Sequence, residues 1–403
     1  MSDKRKRKDH KGRLLKPGES QRKNLRYEYC YQIKGGKRIS VYDWDLKSLR
    51  EQEKKIQKAL DMGLDYEAGK VTVLELAERH VGLKSGSRSN TQANYNFVLN
   101  ILRREKFGGY QIASIKPSDA KLWMKNLHND GDGYSYSTLT TIRGVLKPAF
   151  QTAFEEDAVR RNPFDFKLSD VVPNDAVARV ALTQEEQERW MTFIREDKHY
   201  SSYYDEYVVL LNTGMRISEF CGLTKKDLDF KEHRIRVDHQ LIRSRSGKFY
   251  VEKTKTQSGC RYIPMTEEVE KSLKNILAKR PKAAAEQLID GYTGFLVLDR
   301  KHNPKVANHY QKSMQRALEK YNQLHPENPL PHITPHVFRH TFCTNMANAG
   351  MEIKALQYLM GHSDVGTTLG IYAHASYENA AQQMAVIVNG TDLFQTKKRK
   401  MPV

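Results

Sequence analysis

A short stretch near the C-terminus, PHVFRHTF, combines two imidazoles and a guanidinium just after a proline. Its polar residues His336, Arg339 and His340 fall within the first turns of any helix that starts at Pro335. Such a group can hold a metal ion, form a buried polar network or bind a phosphate. A helix N-terminus favours the phosphate, because its free amides and partial positive charge attract anions.

A metal site at this stretch has weak support. His336 and His340 are one turn apart, which suits zinc, but HVFRH lacks the glutamate of the metalloprotease helix and Arg339 would repel a cation. The four cysteines are scattered and none forms a CxxC pair, so neither a zinc knuckle nor a disulfide framework is indicated. We therefore expect no metal and no other cofactor.

Three further segments of the last 200 residues carry polar groups of similar kinds. GMRISEF places Arg216 at a helix start, with Glu219 three residues later on the same face. EKTKTQSGCRYIPM places Lys255 in or beside a hairpin turn between two strands, where Lys253 is a competing candidate. LMGHSDVGTTLGIYAH then supplies a histidine and a tyrosine. Each signal is weak by itself, because the chain has 67 Lys/Arg, 14 His and 21 Tyr.

The overall charge points to a polyanionic partner. The 403 residues carry a formal net charge of +19, with a pI near 9.5, and nucleic acid is the commonest partner of so basic a protein. A basic solvated surface or a cationic membrane-surface protein is the alternative. The sequence has no run of 18 apolar residues and no apolar stretch after its charged N-terminus, so neither a membrane span nor a secretory signal is expected.

Residues 1–70 are predicted to form a small α+β unit, a three-stranded sheet plus one helix. RYEYCYQI and RISVYDWD alternate around a KGGK turn, and LKSLREQEKKIQKALDMG follows as an amphipathic helix that Gly63 ends. We expect a DNA-reading sheet here, unless Tyr27, Tyr29 and Tyr31 simply belong to the core and the sheet surface. The candidate DNA contacts are Arg22, Lys23, Arg26 and Arg38.

Residues 73–168 are predicted to form an all-α bundle of about four helices. Apolar residues recur three and four apart in TVLELAERHV, NTQANYNFVLNILR, KPSDAKLWMKNLHN and YSTLTTIRGVLKPAFQTAFEEDAV. Ser, Thr, Asn and Asp residues at their starts are candidate N-caps. The polar segments KSGSRSN and DGDG separate the helices, which together favour a compact bundle.

Residues 182–390 are predicted to form a mainly α unit with a small antiparallel sheet. Thr183 and Glu186 form a capping box at its start, and YDEYVVLLNTGM is a helix that ends near Gly214. RIRVDHQ, KFYVEKT and CRYIPM alternate as short strands, and TEEVEKSLKNILAK returns to helix. The tail 391–403 is polar and basic, with no core residues.

In their order along the chain, the polar segments of this last unit resemble the signature of the tyrosine recombinases, the phage-integrase family. The helical bundle before them is similar to the family's core-DNA-binding domain, and the basic N-terminal sheet resembles the arm-binding domain of integrases from conjugative transposons. The spacing between the last two signature residues is one position longer than in many members. The residues that carry the resemblance are Arg216, Lys255, His336, Arg339, Gly361, His362 and Tyr372.

The resemblance implies a site-specific recombinase of a mobile element. Such an enzyme cleaves and rejoins DNA through a 3′-phosphotyrosyl intermediate, without metal or ATP, and drives integration and excision. Tyr372 would be the nucleophile and His336 its base, since a phenol with a pKa near 10 needs help at neutral pH. His362 would donate a hydrogen bond to the scissile phosphate, and Lys255 would protonate the departing 5′ oxygen.

Arginine suits the remaining role, because its planar group stays charged and binds two oxygens at once. Arg216 and Arg339 would hold the scissile phosphate from two sides, and Glu219 would hold Arg216, unless it forms only an ordinary helix salt bridge. His340 is expected to be structural, or to support the catalytic side chains from outside the site.

The resemblance also implies partners. The expected partners are double-stranded DNA at crossover and arm sites, further copies of the chain in a homotetramer on DNA, an excisionase and a host DNA-bending protein. The expected location is a bacterial cytoplasm beside the nucleoid, with no membrane contact. The amphipathic segment SYENAAQQMAVIVNG (376–390) is the candidate for exchange between subunits, unless it docks on its own domain. Two other functions stay open: a type IB topoisomerase-like nicking and resealing enzyme, and a DNA-binding regulator without catalysis.

Overall fold

A computed structural model gives the fold of the chain. The residues it describes are 7–33, 36, 38–84, 86, 89–131, 133–175, 180–244, 247–254, 257–280, 287–372 and 384. Three of the predicted features lie outside this description: Lys255, the tail, and the segment 376–390 apart from Met384. The chain forms two compact units, residues 1–177 and 178–403, and we describe each by itself.

The first unit begins with the predicted three-stranded sheet and helix. The strands are antiparallel in the order β1 (Glu19–Gln21), β2 (Tyr27–Gln32) and β3 (Arg38–Asp43), and α1 (Leu46–Asp61) packs on β2 and β3. Asp45 caps α1 by accepting a hydrogen bond from the Ser48 amide at 3.0 Å. Gly63 follows the helix with φ +73°, a conformation that glycine adopts without strain.

The tyrosines of β2 are core residues. Tyr27, Tyr29 and Tyr31 are 2–6% exposed and pack against Leu49 and Ile56 of α1. Alternation along a strand sends every second side chain to the same face, so these rings cannot belong to the exposed surface of the sheet. The expectation that they help to read DNA is therefore wrong, and the alternative, a core role, is the one observed.

The described residues of the first unit then form four α-helices, as predicted: α2 (Val73–Gly82), α3 (Ser89–Arg104), α4 (Pro117–Asn129) and α5 (Tyr136–Glu155). They enclose an apolar core that includes Val98, Trp123 and Phe150. The last helix ends earlier than its apolar pattern indicated. Asp157 takes a left-handed φ of +58°, and the backbone leaves the helix there.

The second unit is mainly helical. Its helices are α6 (Gln184–Glu196), α7 (Tyr204–Thr213), α8 (Ile217–Gly222), α9 (Glu267–Lys279), α10 (Ala307–Leu324), α11 (Pro335–Asn348), α12 (Ile353–Met360) and α13 (Val365–Tyr372). The predicted capping box of α6 is present, with Thr183 Oγ1 accepting from the Glu186 amide at 3.2 Å. Gly214 ends α7 at φ +62°, as predicted.

The strands of the second unit form two small sheets, where one was expected. Strands β4 (Leu228–Asp229), β5 (Arg234–Val237) and β8 (Arg261–Pro264) make the first sheet, and β6 (His239–Arg243) pairs with β7 (Phe249–Lys253) in the second. The chain leaves the first sheet at Asp238, whose carbonyl accepts from the Thr254 amide at 3.1 Å. The two strands on either side of Lys255, β7 and β8, therefore belong to different sheets and do not pair with each other as a hairpin would.

The packing of α11 decides where the polar segments meet. Its apolar side contributes Phe338 to a buried core with Trp190, Tyr207 and Tyr310, and α11 packs against α7, α12 and α13. The ends of α7 and α12 thus lie beside the same turn of α11. Among the helices that the structure describes, none has the length and apolarity of a membrane span.

Candidate active site

Arg216 and Glu219 form a close pair at the start of α8. Arg216 is the N-cap residue, directly after the left-handed turn at Gly214. Glu219 Oε1 accepts from Arg216 Nη1 at 2.7 Å, and its Oε2 accepts from the Arg216 amide at 2.9 Å. The carboxylate is buried while the guanidinium is about one-third exposed. Glu219 thus fixes the position of Arg216, and part of the Arg216 guanidinium remains accessible to solvent.

Arg339 lies one turn into α11 and is almost fully buried. Its Nη1 donates to the Gly214 carbonyl at 2.7 Å, and its Nη2 donates to the Met360 carbonyl. Arg216 Nη2 donates to the adjacent carbonyl of Gly361 at 3.0 Å. The two arginines, more than a hundred positions apart in the chain, thus meet at the turn that follows α12.

His362 extends from the same turn and is partly buried. Its Nδ1 lies 2.9 Å from the hydroxyl oxygen of the buried Thr368 on α13. Burial lowers the pKa of His362 to about 4, and the positive charges of Arg339, Arg216 and Arg261 contribute to the decrease. The imidazole is therefore neutral at neutral pH, where it can donate one hydrogen bond and accept another.

The low pKa of His362 predicts a pH-dependent stability. Between pH 6.5 and 4 the unfolded chain binds a proton at this ring and the folded protein does not, so the free energy of unfolding must fall as the pH drops through that window. Denaturant unfolding followed at pH 7 and pH 5 should show the loss, and His362→Gln should lose less. The matched change His332→Gln, at an exposed histidine, should leave the difference unaltered. Equal losses in His362→Gln and the wild type would contradict the prediction.

The site carries more positive than negative charge. Glu219 accepts hydrogen bonds from both Arg216 and Arg261. Burial by itself would raise the pKa of Glu219, but the positive charges of Arg261, Arg216 and Arg339 outweigh this effect and lower the pKa. Burial lowers the pKa of Arg339 to about 9, with Arg216 adding to the effect, so the guanidinium stays charged at neutral pH. Three guanidinium groups around one carboxylate leave a positive site that suits a phosphate.

The other predicted site residues are on helices α11 and α13, on strand β7, or outside the described residues. His336 is exposed in the first turn of α11, after Pro335 and the N-cap Thr334. His340 follows one turn later and is partly exposed. Tyr372 is the last residue of α13, which packs on α11 and α12, but its side chain is not among those described. The competing candidate Lys253 ends β7 and is exposed.

Two of the four candidate DNA contacts of the N-terminal sheet lie over a pair of aromatic rings. Arg26 lies 5.5 Å from the Tyr42 ring and 5.3 Å from the Trp44 ring, and Arg22 lies 5.4 Å from Tyr42. Tyr42 and Trp44 are 39% and 67% exposed. Of the other two candidates, Lys23 is exposed between β1 and β2, and Arg38 is exposed at the start of β3.

The sequence reasoning missed several residues of these two sites. Arg261 bridges Glu219 and α12, but in the sequence it is one of many arginines. Its burial marks it as part of the site, and burial cannot be seen in the sequence. Thr368 had no distinguishing signal. Tyr42 and Trp44 could have been found, because in RISVYDWD they are out of phase with the apolar residues Ile39 and Val41.

One group of metal-type ligands occurs among the described residues. The ligand atoms of Asp227, Asp238 and His239 lie within 4.8 Å of one another. Arg236 donates to Asp227 at 2.8 Å, and His239 Nε2 lies 2.7 Å from the Gly222 carbonyl oxygen. Because their atoms already have these partners, the group is better described as a network of ion pairs and hydrogen bonds beside the strands than as a metal site.

Comparisons with known proteins now identify the family. The phage integrase family profile matches residues 181–379, and that of the DNA-binding domain of Tn916 integrase matches residues 2–60. The transposases of Tn916 from Enterococcus faecalis and of Tn1545 from Streptococcus pneumoniae are each 44% identical over 397 residues, covering 95% of this chain and 96% of each relative. The chain belongs to the phage integrase family. It is a site-specific tyrosine recombinase of the kind found in conjugative transposons.

Solved structures match the fold of the recombinase. The Tn1549 transposon integrase in complex with a circular intermediate DNA has a TM-score of 0.74 and 42% identity, over 79% of this chain and 99% of that one. A lambda integrase dimer bound to a COC′ core site is only 16% identical, with a TM-score of 0.53 over 89% of this chain and 95% of that one, and it shares the fold. The predicted fold class of the recombinase is confirmed.

Proposed function

We propose that Arg216, Arg339 and His362 bind the scissile phosphate of DNA. The convergence of the two guanidinium groups on the carbonyls of Met360 and Gly361, directly before His362, carries the proposal. A pentacoordinate phosphorane bears negative charge on its non-bridging oxygens, and preorganised donors stabilise that charge without rearranging. Thr368 would donate to His362 Nδ1, which leaves the Nε2 proton for a phosphate oxygen.

Tyr372 supplies the nucleophile in this proposal. Its phenol oxygen attacks phosphorus, the bond to the 5′ oxygen breaks, and a 3′-phosphotyrosyl ester forms. The phenol proton passes to His336, and Lys255 protonates the leaving 5′ oxygen. The ester preserves the bond energy, so a 5′ hydroxyl of another strand can reverse the step and rejoin the DNA.

The three-part division of the chain is part of the proposal. Residues 1–70 would bind arm sites, residues 73–168 would bind the core site beside the crossover, and residues 182–390 would perform catalysis. The separate apolar cores of the N-terminal sheet and of the helices α2–α5 support the first boundary. In the first part, the face of the sheet that carries Arg22, Arg26, Tyr42 and Trp44 would lie against DNA, with phosphates at the arginines.

Arm-site binding gives a salt-dependent prediction. Arg26→Ala should weaken binding and reduce the slope of log affinity against log salt by about one phosphate contact. Trp44→Ala removes a ring on which the guanidinium rests, so affinity should fall several-fold with the slope unchanged. Fluorescence anisotropy with duplexes from the ends of the element measures both, and Lys54→Ala on the exposed side of α1 is the control. An Arg26→Ala protein with the wild-type slope would refute the assignment.

Assembly follows from the reaction. Exchange between two duplexes needs four cleaved strands, so we propose a homotetramer on DNA in which residues 376–390 pass to a neighbouring subunit. An excisionase and a host DNA-bending protein would set the direction of the reaction. The site of action would be the nucleoid in a bacterial cytoplasm, where the element integrates and excises.

Capture of a covalent adduct tests the proposed function. A duplex nicked close to the cleavage position loses its 5′ hydroxyl strand after attack, which traps the enzyme on the DNA. Mass spectrometry should then identify Tyr372 as the modified residue. A catalytically inactive regulator would give no adduct. A topoisomerase-like enzyme would give one but would also relax supercoiled DNA that lacks paired sites, which the recombinase should not.

A further inference from the structure

Arg261 is a buried charge that the proposed chemistry does not use. It begins β8, and its side chain is 0% exposed. Taking a guanidinium out of water is costly unless its donors have partners. Four hydrogen bonds meet that need: to Glu219 Oε2 at 2.8 Å, to Glu219 Oε1 at 3.3 Å, to the Leu359 carbonyl at 2.6 Å and to the Gly259 carbonyl at 3.1 Å.

The first partner connects Arg261 to the phosphate-binding arginines. Glu219 receives Arg261 on one side and Arg216 on the other, so the orientation of this one carboxylate depends on both guanidinium groups. Without the two hydrogen bonds from Arg261, Glu219 would be free to turn towards Arg216. Arg216 would then shift away from the Gly361 carbonyl that defines its position.

The second partner connects Arg261 to the turn that carries His362. Leu359 belongs to the last turn of α12, and Gly361 follows at φ +61°. A Cβ atom on Gly361 would lie 3.0 Å from Arg261 Nη1 and 3.1 Å from the Ser258 carbonyl oxygen. The Arg261 guanidinium and the Ser258 backbone therefore pack directly against this turn and leave no room for a side chain at Gly361.

We propose that Arg261 is a positioning residue of the recombinase. One guanidinium joins three segments: the segment that leads from Lys255 into β8, Glu219 on α8, and the turn between α12 and α13. It fixes Arg216 and His362 in the geometry for phosphate before DNA arrives. This inference rests on the proposed function, since positioning has a meaning only if these groups bind the scissile phosphate.

Single-turnover cleavage of the nicked duplex tests the inference, with Arg261→Lys as the variant. Lysine keeps the charge but cannot reach both oxygens of Glu219 and two carbonyls. The rate constant at saturating DNA should fall about 10- to 100-fold, as expected for a small misplacement of catalytic groups. The fraction of enzyme that forms adduct and the affinity for DNA should stay within about threefold of wild type. The control Arg236→Lys changes an arginine–carboxylate pair on the adjacent strand β5 and should leave the rate constant unaltered.

A merely structural role would give a different result. The thermal midpoint and the active fraction would fall, while the active molecules would cleave at the wild-type rate, and that outcome overturns the inference. If Arg261→Lys does not fold, Glu219→Gln tests the same link from its other end, where a wild-type rate constant overturns it too. Failure of the wild-type enzyme itself to form an adduct would instead reject the proposed function. The double variant Glu219→Gln/Arg261→Lys should cleave at a rate within about threefold of Glu219→Gln, because the two side chains act through the same contact.

Discussion

Replacing Tyr372 by Phe will abolish the covalent adduct and leave DNA binding intact. The change removes one oxygen atom, which is the atom that forms the bond to phosphorus, so cleavage should fall by about four orders of magnitude or more. Affinity for a crossover duplex should stay within about threefold, since affinity comes mainly from phosphate contacts made elsewhere. Gel analysis of the trapped adduct and anisotropy of the same duplex measure the two quantities.

Tyr358→Phe is the matched control. Tyr358 is an exposed tyrosine on the neighbouring helix α12, and its hydroxyl accepts from the Tyr262 amide at 3.0 Å. The loss of that one hydrogen bond should have little effect on cleavage. An adduct that persisted in Tyr372→Phe, or one that Tyr358→Phe abolished, would show that the helix α13 does not supply the nucleophile.

Replacing Arg339 by Lys will reduce cleavage about 10²- to 10³-fold, which corresponds to a loss of about 2.7–4 kcal/mol in transition-state stabilisation. The guanidinium spans the carbonyls of Gly214 and Met360, and in the proposed function its charge stabilises the phosphate. An ammonium group is a point charge and cannot span both carbonyls. Single-turnover rates at saturating DNA measure the effect, and the thermal midpoint shows whether the variant is folded.

Arg280→Lys provides the comparison for this variant. Arg280 also donates to a main-chain carbonyl, that of Phe295 at 2.8 Å, but it lies at the end of α9 and outside the site. Cleavage by Arg280→Lys should remain within a few-fold of wild type. If both variants lost activity in proportion to their stability, the loss in Arg339→Lys would reflect folding and not phosphate binding.

Short stretches of sequence were enough to predict most of the helices and strands. Capping residues such as Thr183 and terminators such as Gly63 and Gly214 act through the nearest few residues, so the helix boundaries followed from short stretches of sequence. The order of the polar segments GMRISEF, PHVFRHTF and LMGHSDVGTTLGIYAH, through its resemblance to the family signature, was enough to predict that Arg216, Arg339 and His362 lie in one site. Their roles remain predictions that the experiments above address.

The misjudged features depend on contacts between distant segments. Strand pairing is a non-local property, and nothing in the KFYVEKT and CRYIPM segments shows that β7 pairs with β6 while β8 pairs with β5. Arg261 shares its burial with Arg339 and differs in this from the exposed arginines Arg22 and Arg38, and burial is a result of the whole fold. Tyr27 and Trp44 are a different case: both are aromatic residues of a basic segment, and their phase along the strands, which the sequence does show, separates core from surface.

The use of main-chain carbonyls to hold both arginines has an evolutionary consequence. A carbonyl oxygen is present whatever side chain the residue bears, so Met360 can be exchanged for another apolar residue without removing the partner of Arg339. Gly214 and Gly361 are the exceptions, because their φ angles are +62° and +61°. A Cβ atom would lie 2.3 Å from the Phe342 ring at Gly214 and 3.0 Å from Arg261 Nη1 at Gly361. Sequence drift at Met360 therefore leaves the main-chain partners of the two arginines in place, whereas drift at either glycine strains the backbone that presents them.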